Sequence, residues 1–269
     1  MDLSAPPRSM HTRRILVTND DGYQAEGINA LFDALAPHFE VWMVAPDREQ
    51  SAQSHALTLH RPLRLTQHAT NRFSVDGTPA DSVYLAVQHL LKGQVDLVIS
   101  GINMGPNLGD DVAYSGTVSA AMEAAFMGID AIAISMAGRA PFRFDGAASF
   151  ALSLAREVLS RGMDHRGLLN VNVPNLPPDQ LKGVRATRMG HRRYDYAVEE
   201  KRDPRGRAYY WIGGPEAEFQ TLEGSDGNAI RDGYISVSPL FTDLTDYEAL
   251  KGLGWVSRLA AHGCEGDPR

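Results

Sequence analysis

Short apolar runs alternate with helix-spaced apolar positions along most of the chain. The runs "RRILVTN", "VWMVAP", "VDLVISG", "DAIAIS" and "LLNVNVP" are rich in Val, Ile or Leu and stop at polar, Gly or Pro residues. Such continuous runs predict strands buried on both faces, mostly parallel. Between them, Ile28, Leu31, Phe32 and Leu35, then Val83, Val87, Leu90 and Leu91, then Val118, Met122, Ala125 and Phe126, then Phe150, Leu154 and Val158 recur at helical spacing. The alternation predicts an α/β fold with a doubly wound, mostly parallel sheet. Thr78-Pro79-Ala80-Asp81 supplies an N-cap threonine, a proline at the first helical position and an acidic residue three after the cap, predicting a helix over about Ala80 to Leu91.

The pattern changes after Pro174. "VRATRMGHRRYDYAVEEKRDPRGRAYYWIGG" is aromatic, charged and suited to hairpins, so residues 185–232 are expected to leave the sheet as an arm or lid. The chain then returns with "GYISVSPL" as a strand and "TDYEALKGL" as a helix. One α/β domain is expected over 14–260, with a disordered leader at 1–13 and a flexible tail at 261–269. No internal repeat is visible.

Composition narrows the classes. Of the 269 residues, 43% are hydrophobic and 22% charged, an ordinary globular balance. No apolar stretch approaches a membrane span and the N-terminus lacks a signal core, so a soluble cytoplasmic protein is expected. A net charge of −7 argues against general nucleic-acid binding, and the single cysteine, Cys264, leaves no disulfide framework or cysteine zinc site.

The chemistry gathers at strand ends, where open parallel sheets bind ligands. The first strand ends in Asn19-Asp20-Asp21-Gly22, the second in "APDREQSAQSH", and the one at Val95 to Ser100 in "GINMGPNLGDD". Asp20-Asp21-Gly22 alone reads as a turn. With the other two loops it offers carboxylates, hydroxyls and carboxamides, hard donors suited to magnesium or manganese. Tyr114-Ser115-Gly116-Thr117 opens an Ala-rich helix; it is an N-cap taken alone and a phosphate cradle beside a cation. Asp110-Asp111 is expected to support that turn and helix, and His55, His60 and His191 lack metal-ligand spacing and are expected in surface or packing roles.

These segments resemble the SurE family (survival protein E), through "ILVTNDDGYQAEGI", "VAPDREQSAQSHALTLHRPLR", "VDGTPADSV", "DLVISGINMGPNLGDDVAYSGTVSAAMEA" and "YISVSPL", from about Ile15 to Leu253. The resemblance implies a metal-dependent phosphatase acting on nucleoside 5'-monophosphates, and leaves open 3'-monophosphates and short polyphosphate as further substrates. It implies one divalent ion per subunit, Mg²⁺ or Mn²⁺, on Asp20, Asp21, Ser51 and Asn103. Asn19 and Asn107 would line the pocket, Asn19 with the catalytic pair Asp20 and Asp21, and Ser115, Gly116 and Thr117 would hold the phosphate. Asp21 is the favoured acceptor of the water proton. Where the family often has Ser-Gly-Ala-Ser, this chain has Ser51-Ala52-Gln53-Ser54.

Residues 185–207 hold eight Arg or Lys against four Asp or Glu, with Tyr194, Tyr196, Tyr209, Tyr210 and Trp211 in or just beyond them. Substrate steering, base stacking and packing on a neighbouring subunit all fit, and the resemblance implies homodimers or homotetramers. Two rivals remain. An aspartyl-phosphate enzyme usually spaces its two carboxylates by one residue, unlike Asp20 and Asp21. A non-catalytic nucleotide-binding domain would use the same cradle without turnover, although the first strand lacks G-x-G-x-x-G.

Overall fold

The computed structural model describes residues 13–163, 167–193, 198–212 and 218–259. The expected leader up to residue 12, Tyr194, Tyr196, Cys264 and the tail lie outside them.

Nine strands form one sheet: β1 (Arg14–Thr18), β2 (Glu40–Pro46), β3 (Leu65–Ala69), β4 (Arg72–Val75), β5 (Leu97–Met104), β6 (Ala131–Ala137), β7 (Leu168–Pro174), β8 (Val184–Ala186) and β13 (Ile235–Leu240). Their order is β3-β4-β2-β1-β5-β6-β7-β13-β8. The six strands from β4 to β7 are mutually parallel, with β3 antiparallel to β4 and β13 antiparallel to β7. The sheet is therefore the expected doubly wound one. From β1 the chain winds outward to β2 and β4, then returns to β5 and winds the other way, which places the switch point between the ends of β1 and β5.

Strand alternation builds two cores. Ile15 and Val17 face α1 (Glu26–Leu35) and α4 (Phe144–Arg161), against Ile28, Leu31, Leu35, Ala151 and Ala155. Leu16 and Val98 face α2 (Pro79–Leu85) and α3 (Gly116–Phe126), against Val83, Val87, Val118 and Ala121. Leu31 is fully buried. Truncating it to alanine would cost about 2–5 kcal/mol. Alanines at 120, 121, 124 and 125 let α3 sit close to the sheet.

Helix α2 has the expected capping box: the Asp81 N–H donates to Thr78 Oγ1 (3.0 Å) and the Thr78 N–H to Asp81 Oδ2 (2.9 Å). Its α-helical part ends at Leu85, and residues Ala86–Leu90 continue as a π-helical turn in which the Leu91 N–H reaches the Ala86 carbonyl. The expected helix is thus present but widened in its second half, with Ala86 and Val87 still turned into the core.

Beyond the sheet, β9 (Arg192–Arg193) pairs with β12 (Glu218–Phe219), and β10 (Val198–Arg202) with β11 (Ala208–Ile212). The latter hairpin leaves Val198, Tyr210, Trp211 and Ile212 exposed. Helix α5 (Asp226–Arg231) leads back to β13, and α6 (Tyr247–Gly252) follows it. No helix among the described residues is long and apolar enough to cross a membrane.

Candidate active site

A cavity of about 400 Å³ opens at the switch point, lined by Asp20, Asp21, Glu49, Ser51, Asn103, Asn107, Asp111, Tyr114 and Ser115 among others. Four segments reach it: the end of β1, the loop after β2, the end of β5 with its following loop, and the turn before α3.

Asp20 is buried. The Thr117 hydroxyl donates to its Oδ1 at 2.5 Å, and its backbone carbonyl accepts from the Gln50 N–H (2.8 Å). Helix α3 can approach this closely because residue 116 is glycine; a Cβ there would lie 2.8 Å from Asp20 Cβ and Oδ2. Asp21 is partly buried and accepts from the Met104 N–H at 3.1 Å. Burial, and then the neighbouring Asp20 and Glu49 charges, push its carboxyl up to about 6, against the weaker pull of the Met104 hydrogen bond. Burial also raises Asp20, opposed mainly by the Thr117 hydroxyl.

Ser51 donates its hydroxyl to Glu49 Oε1 (2.8 Å), which leaves its oxygen lone pairs available. Asn103 follows a register shift between Ser100 and Asn103 in the β5–β6 pairing. Such irregularities re-aim side chains at strand ends. Its Nδ2 donates to the Gly105 carbonyl (2.9 Å), which commits the amide nitrogen and leaves Oδ1 as the atom that could meet a cation.

Asn107 is bound into the sheet. Its N–H donates to Asn172 Oδ1 (2.9 Å), its carbonyl accepts from Nδ2 of Asn170 (2.8 Å) and Asn172 (2.9 Å), and its Nδ2 donates to Ser135 Oγ (2.8 Å). Asn19 is buried; its Nδ2 donates to the Gly22 carbonyl (2.9 Å), while its Oδ1 finds no protein partner. Ser115 caps α3 by accepting from the Val118 N–H (3.1 Å).

The donor set fits a hard divalent cation. Two adjacent carboxylates, held against each other and poorly solvated, gain most from an opposite charge. No group of three or more His, Cys, Asp or Glu suited to a metal occurs among the described residues; Asp20 and Asp21 adjoin neutral hydroxyl and carboxamide oxygens, with Glu49 and Asp111 elsewhere in the same wall. That balance suits Mg²⁺ or Mn²⁺, which keep several waters.

The family model described as "Survival protein SurE" matches residues 15–196. The chain belongs to the SurE family. A relative from Myxococcus xanthus (strain DK1622), named 5'-nucleotidase SurE, is 53% identical over 247 residues, 90% of this chain and 93% of the relative. A Geobacter sulfurreducens protein of the same name is 54% identical over 237 residues, 88% of this chain and 90% of its own. The crystal structure of a SurE protein from Aquifex aeolicus matches with a TM-score of 0.82 at 44% identity, over 91% of this chain and 99% of that one.

The cavity of this SurE chain brings together Asp20, Asp21, Ser51, Asn103, Asn107 and Ser115. Asn19, Gly116 and Thr117 stand behind it: Thr117 is fully buried with its hydroxyl on Asp20, and Gly116 packs against the same carboxylate. Asp110 and Asp111 part company, since Asp110 faces His191 (Oδ1 to Nδ1, 3.3 Å) while Asp111 lines the cavity. Tyr114 is a further wall residue, as is Glu49, which the sequence pattern did not single out. His55 packs, with Nε2 2.6 Å from Glu123 Oε2 and its ring stacked on Phe126.

Proposed function

We propose that the chain hydrolyses nucleoside 5'-monophosphates to nucleoside and phosphate with one bound divalent ion, Mg²⁺ or Mn²⁺. The observation that supports this most is the Asp20-Asp21 pair, one carboxylate buried and the other partly buried, at the switch point in a cavity that also offers hydroxyl and carboxamide oxygens. The names of the relatives from Myxococcus xanthus and Geobacter sulfurreducens point the same way.

Asp20, Asp21, Ser51 and Asn103 would hold the ion. When bound, it would offset charge building on the phosphoryl oxygens and orient the attacking water. The Asp21 carboxylate, free of any side-chain donor as strong as the one Thr117 gives Asp20, accepts the proton of that water. Asn107 and Ser115 present neutral groups to the phosphate without adding negative charge. The N–H groups opening α3, at Gly116 and Thr117, add the positive end of the helix dipole. Nucleoside 3'-monophosphates and short polyphosphate fit the same scheme, because only the terminal phosphoryl group must enter the cavity.

The exposed β10–β11 hairpin, with Tyr210, Trp211 and Ile212 open, supports a homodimer or homotetramer formed through this arm. A two-stranded hairpin is marginal alone and gains most from packing on a neighbour.

The test is phosphate release from a panel of nucleoside monophosphates with Mg²⁺, Mn²⁺ or chelator, for the parent and Asp21→Asn. Metal-dependent release that the variant loses is the expected result. Nucleotide binding without release under any metal would replace this reading with a non-catalytic nucleotide-binding domain.

A further inference from the structure

Asp111 lies in the wall of the cavity but outside the oxygen set assigned to the cation. It belongs to a 3-10 turn, Gly109–Tyr114, that is fixed from behind. The Gly109 N–H donates to Oδ2 of Asp226 (2.8 Å), whose Oδ1 accepts from the N–H groups of Gly190 (2.8 Å) and Gly227 (2.7 Å). Asp226 is fully buried. Within the turn, the Asp111 N–H donates to the Leu108 carbonyl (3.2 Å) and the Ser115 N–H to the Val112 carbonyl (3.3 Å). Asp111 is therefore held on a supported turn that ends at Ser115.

Its electrostatic surroundings differ from those of Asp21. The like charges acting on Asp111 are Asp110 and Asp226, whereas those on Asp21 are Asp20 and Glu49. The two carboxyls in this cavity wall thus feel different neighbouring charges. Burial, then Asp110 and Asp226, push the Asp111 carboxyl up to about 6. At pH 7 about a tenth of such a group still holds its proton.

The reaction proposed above expels a nucleoside alkoxide, a poor leaving group that needs a proton as its bond to phosphorus lengthens. Entering and leaving oxygens lie roughly in line across phosphorus. With the entering water on the Asp20–Asp21 side, the proton donor must come from another part of the cavity. Asp111 supplies a carboxyl in the cavity wall outside the set assigned to the cation, while Asp110 is turned to His191.

We propose that Asp111 is the general acid of this reaction, passing its carboxyl proton to the leaving oxygen of the nucleoside. The inference rests on the nucleotidase reading. In the step, water oxygen forms a bond to phosphorus and gives its proton to the Asp21 carboxylate. The bond from phosphorus to the nucleoside oxygen breaks with its electron pair on oxygen, which takes the Asp111 proton. Asp111 then regains a proton from solvent and Asp21 loses one, so one water is consumed and one nucleoside and one phosphate leave.

The experiment compares kcat for a nucleoside 5'-monophosphate and for p-nitrophenyl phosphate, whose phenolate departs without a proton, in the parent, Asp111→Asn, Asp111→Glu and Tyr114→Phe at saturating Mn²⁺. In Asp111→Asn, the nucleotide kcat is expected to fall about 100-fold or more, and the nitrophenyl kcat by less than about threefold. Asp111→Glu, which keeps an acid, is expected to recover part of the nucleotide rate. Equal loss on both substrates, or no loss, overturns the inference, as does a selective nucleotide loss in Tyr114→Phe with Asp111→Asn unaffected. Should Asp111→Asn not fold, Asp111→Ser, which also lacks an acid, takes its place, and an unchanged ratio of the two kcat values there overturns the inference equally. A parent that releases phosphate from p-nitrophenyl phosphate but from no nucleotide defeats the nucleotidase reading itself.

Discussion

The Thr117 hydroxyl donates to Asp20 Oδ1 across 2.5 Å of buried space, joining the first turn of α3 to the carboxylate that ends β1. Thr117→Val keeps the shape and removes the donor. Leaving a buried carboxylate short of a partner is expected to cost about 1–3 kcal/mol in metal-free protein, read by urea denaturation. A change below about 0.5 kcal/mol would mean that Asp20 is protonated or has other donors.

Gly116→Ala tests the same contact sterically. The new Cβ would meet Asp20 at 2.8 Å, so the carboxylate or the helix must shift. Alanine raises helix propensity, yet phosphate release is expected to fall at least about tenfold while the far-ultraviolet circular dichroism spectrum stays unchanged. Full activity would show that Asp20 need not hold its present position.

The acid pair sets a pH dependence for the metal-free chain. Asp21 is raised from 3.8 to about 6, so between those values the folded state binds more protons than the unfolded state. Stability therefore falls as pH rises through that window. Relative to the parent, metal-free Asp21→Asn is expected to gain nothing below about pH 4 and about 1–2 kcal/mol by pH 7, after allowing for the partial exposure of the group. Saturating Mg²⁺ is expected to reverse the order, because only the parent carboxylate gains from the ion. Denaturation midpoints at three pH values, with and without Mg²⁺, decide it.

Ala52 sits at φ 57° and Ser54 at φ 53°, left-handed backbone on either side of Gln53 in the loop that presents Ser51. A side chain there costs about 1 kcal/mol, and position 52 is where the family often has glycine. Ala52→Gly is expected to raise stability by up to about 1 kcal/mol, visible as a higher melting temperature. A lower one would show that the loop is not strained.

The strained loop is held by its far side: the Ser54 hydroxyl donates to the Ala113 carbonyl (2.9 Å), and His55 meets Glu123 at 2.6 Å. His55→Ala removes the partner of a buried carboxylate and loosens the approach to Ser51. Divalent-ion affinity, measured by calorimetric titration, is expected to drop at least about threefold, and unchanged affinity would separate the clamp from the ligand set.

Much of this arrangement was legible in the sequence because it depends on local order. Apolar runs ending in Asn-Asp-Asp-Gly or Gly-Ile-Asn mark strand ends, and a parallel sheet gathers such ends on one edge. The Thr78–Asp81 capping box was readable for the same reason, since both partners lie within four residues. The β3–β4 hairpin was not, as "LTQHA" is short and mostly exposed and "RFSV" owes its burial to β2. Glu49 looks like a solvated loop charge and Asp111 like support for a turn and helix start until packing turns both into one cavity. Thr117 reads as a helix-start hydroxyl, and only the 97-residue separation it bridges to Asp20 gives it another task.

Asn107 has a further consequence for how substrate enters. Its backbone is tied to Asn170 and Asn172 on β7 and its amide to Ser135 on β6, so the floor of the cavity opens only when the sheet does. The Ser51 loop is tied outside the strands instead, by the Gln50 N–H to the Asp20 carbonyl and by Ser54 to the turn before α3. In hydrogen exchange the two should separate by orders of magnitude, a slow floor beneath a fast wall, and traffic through the cavity is then a matter of one compliant side yielding against one that does not.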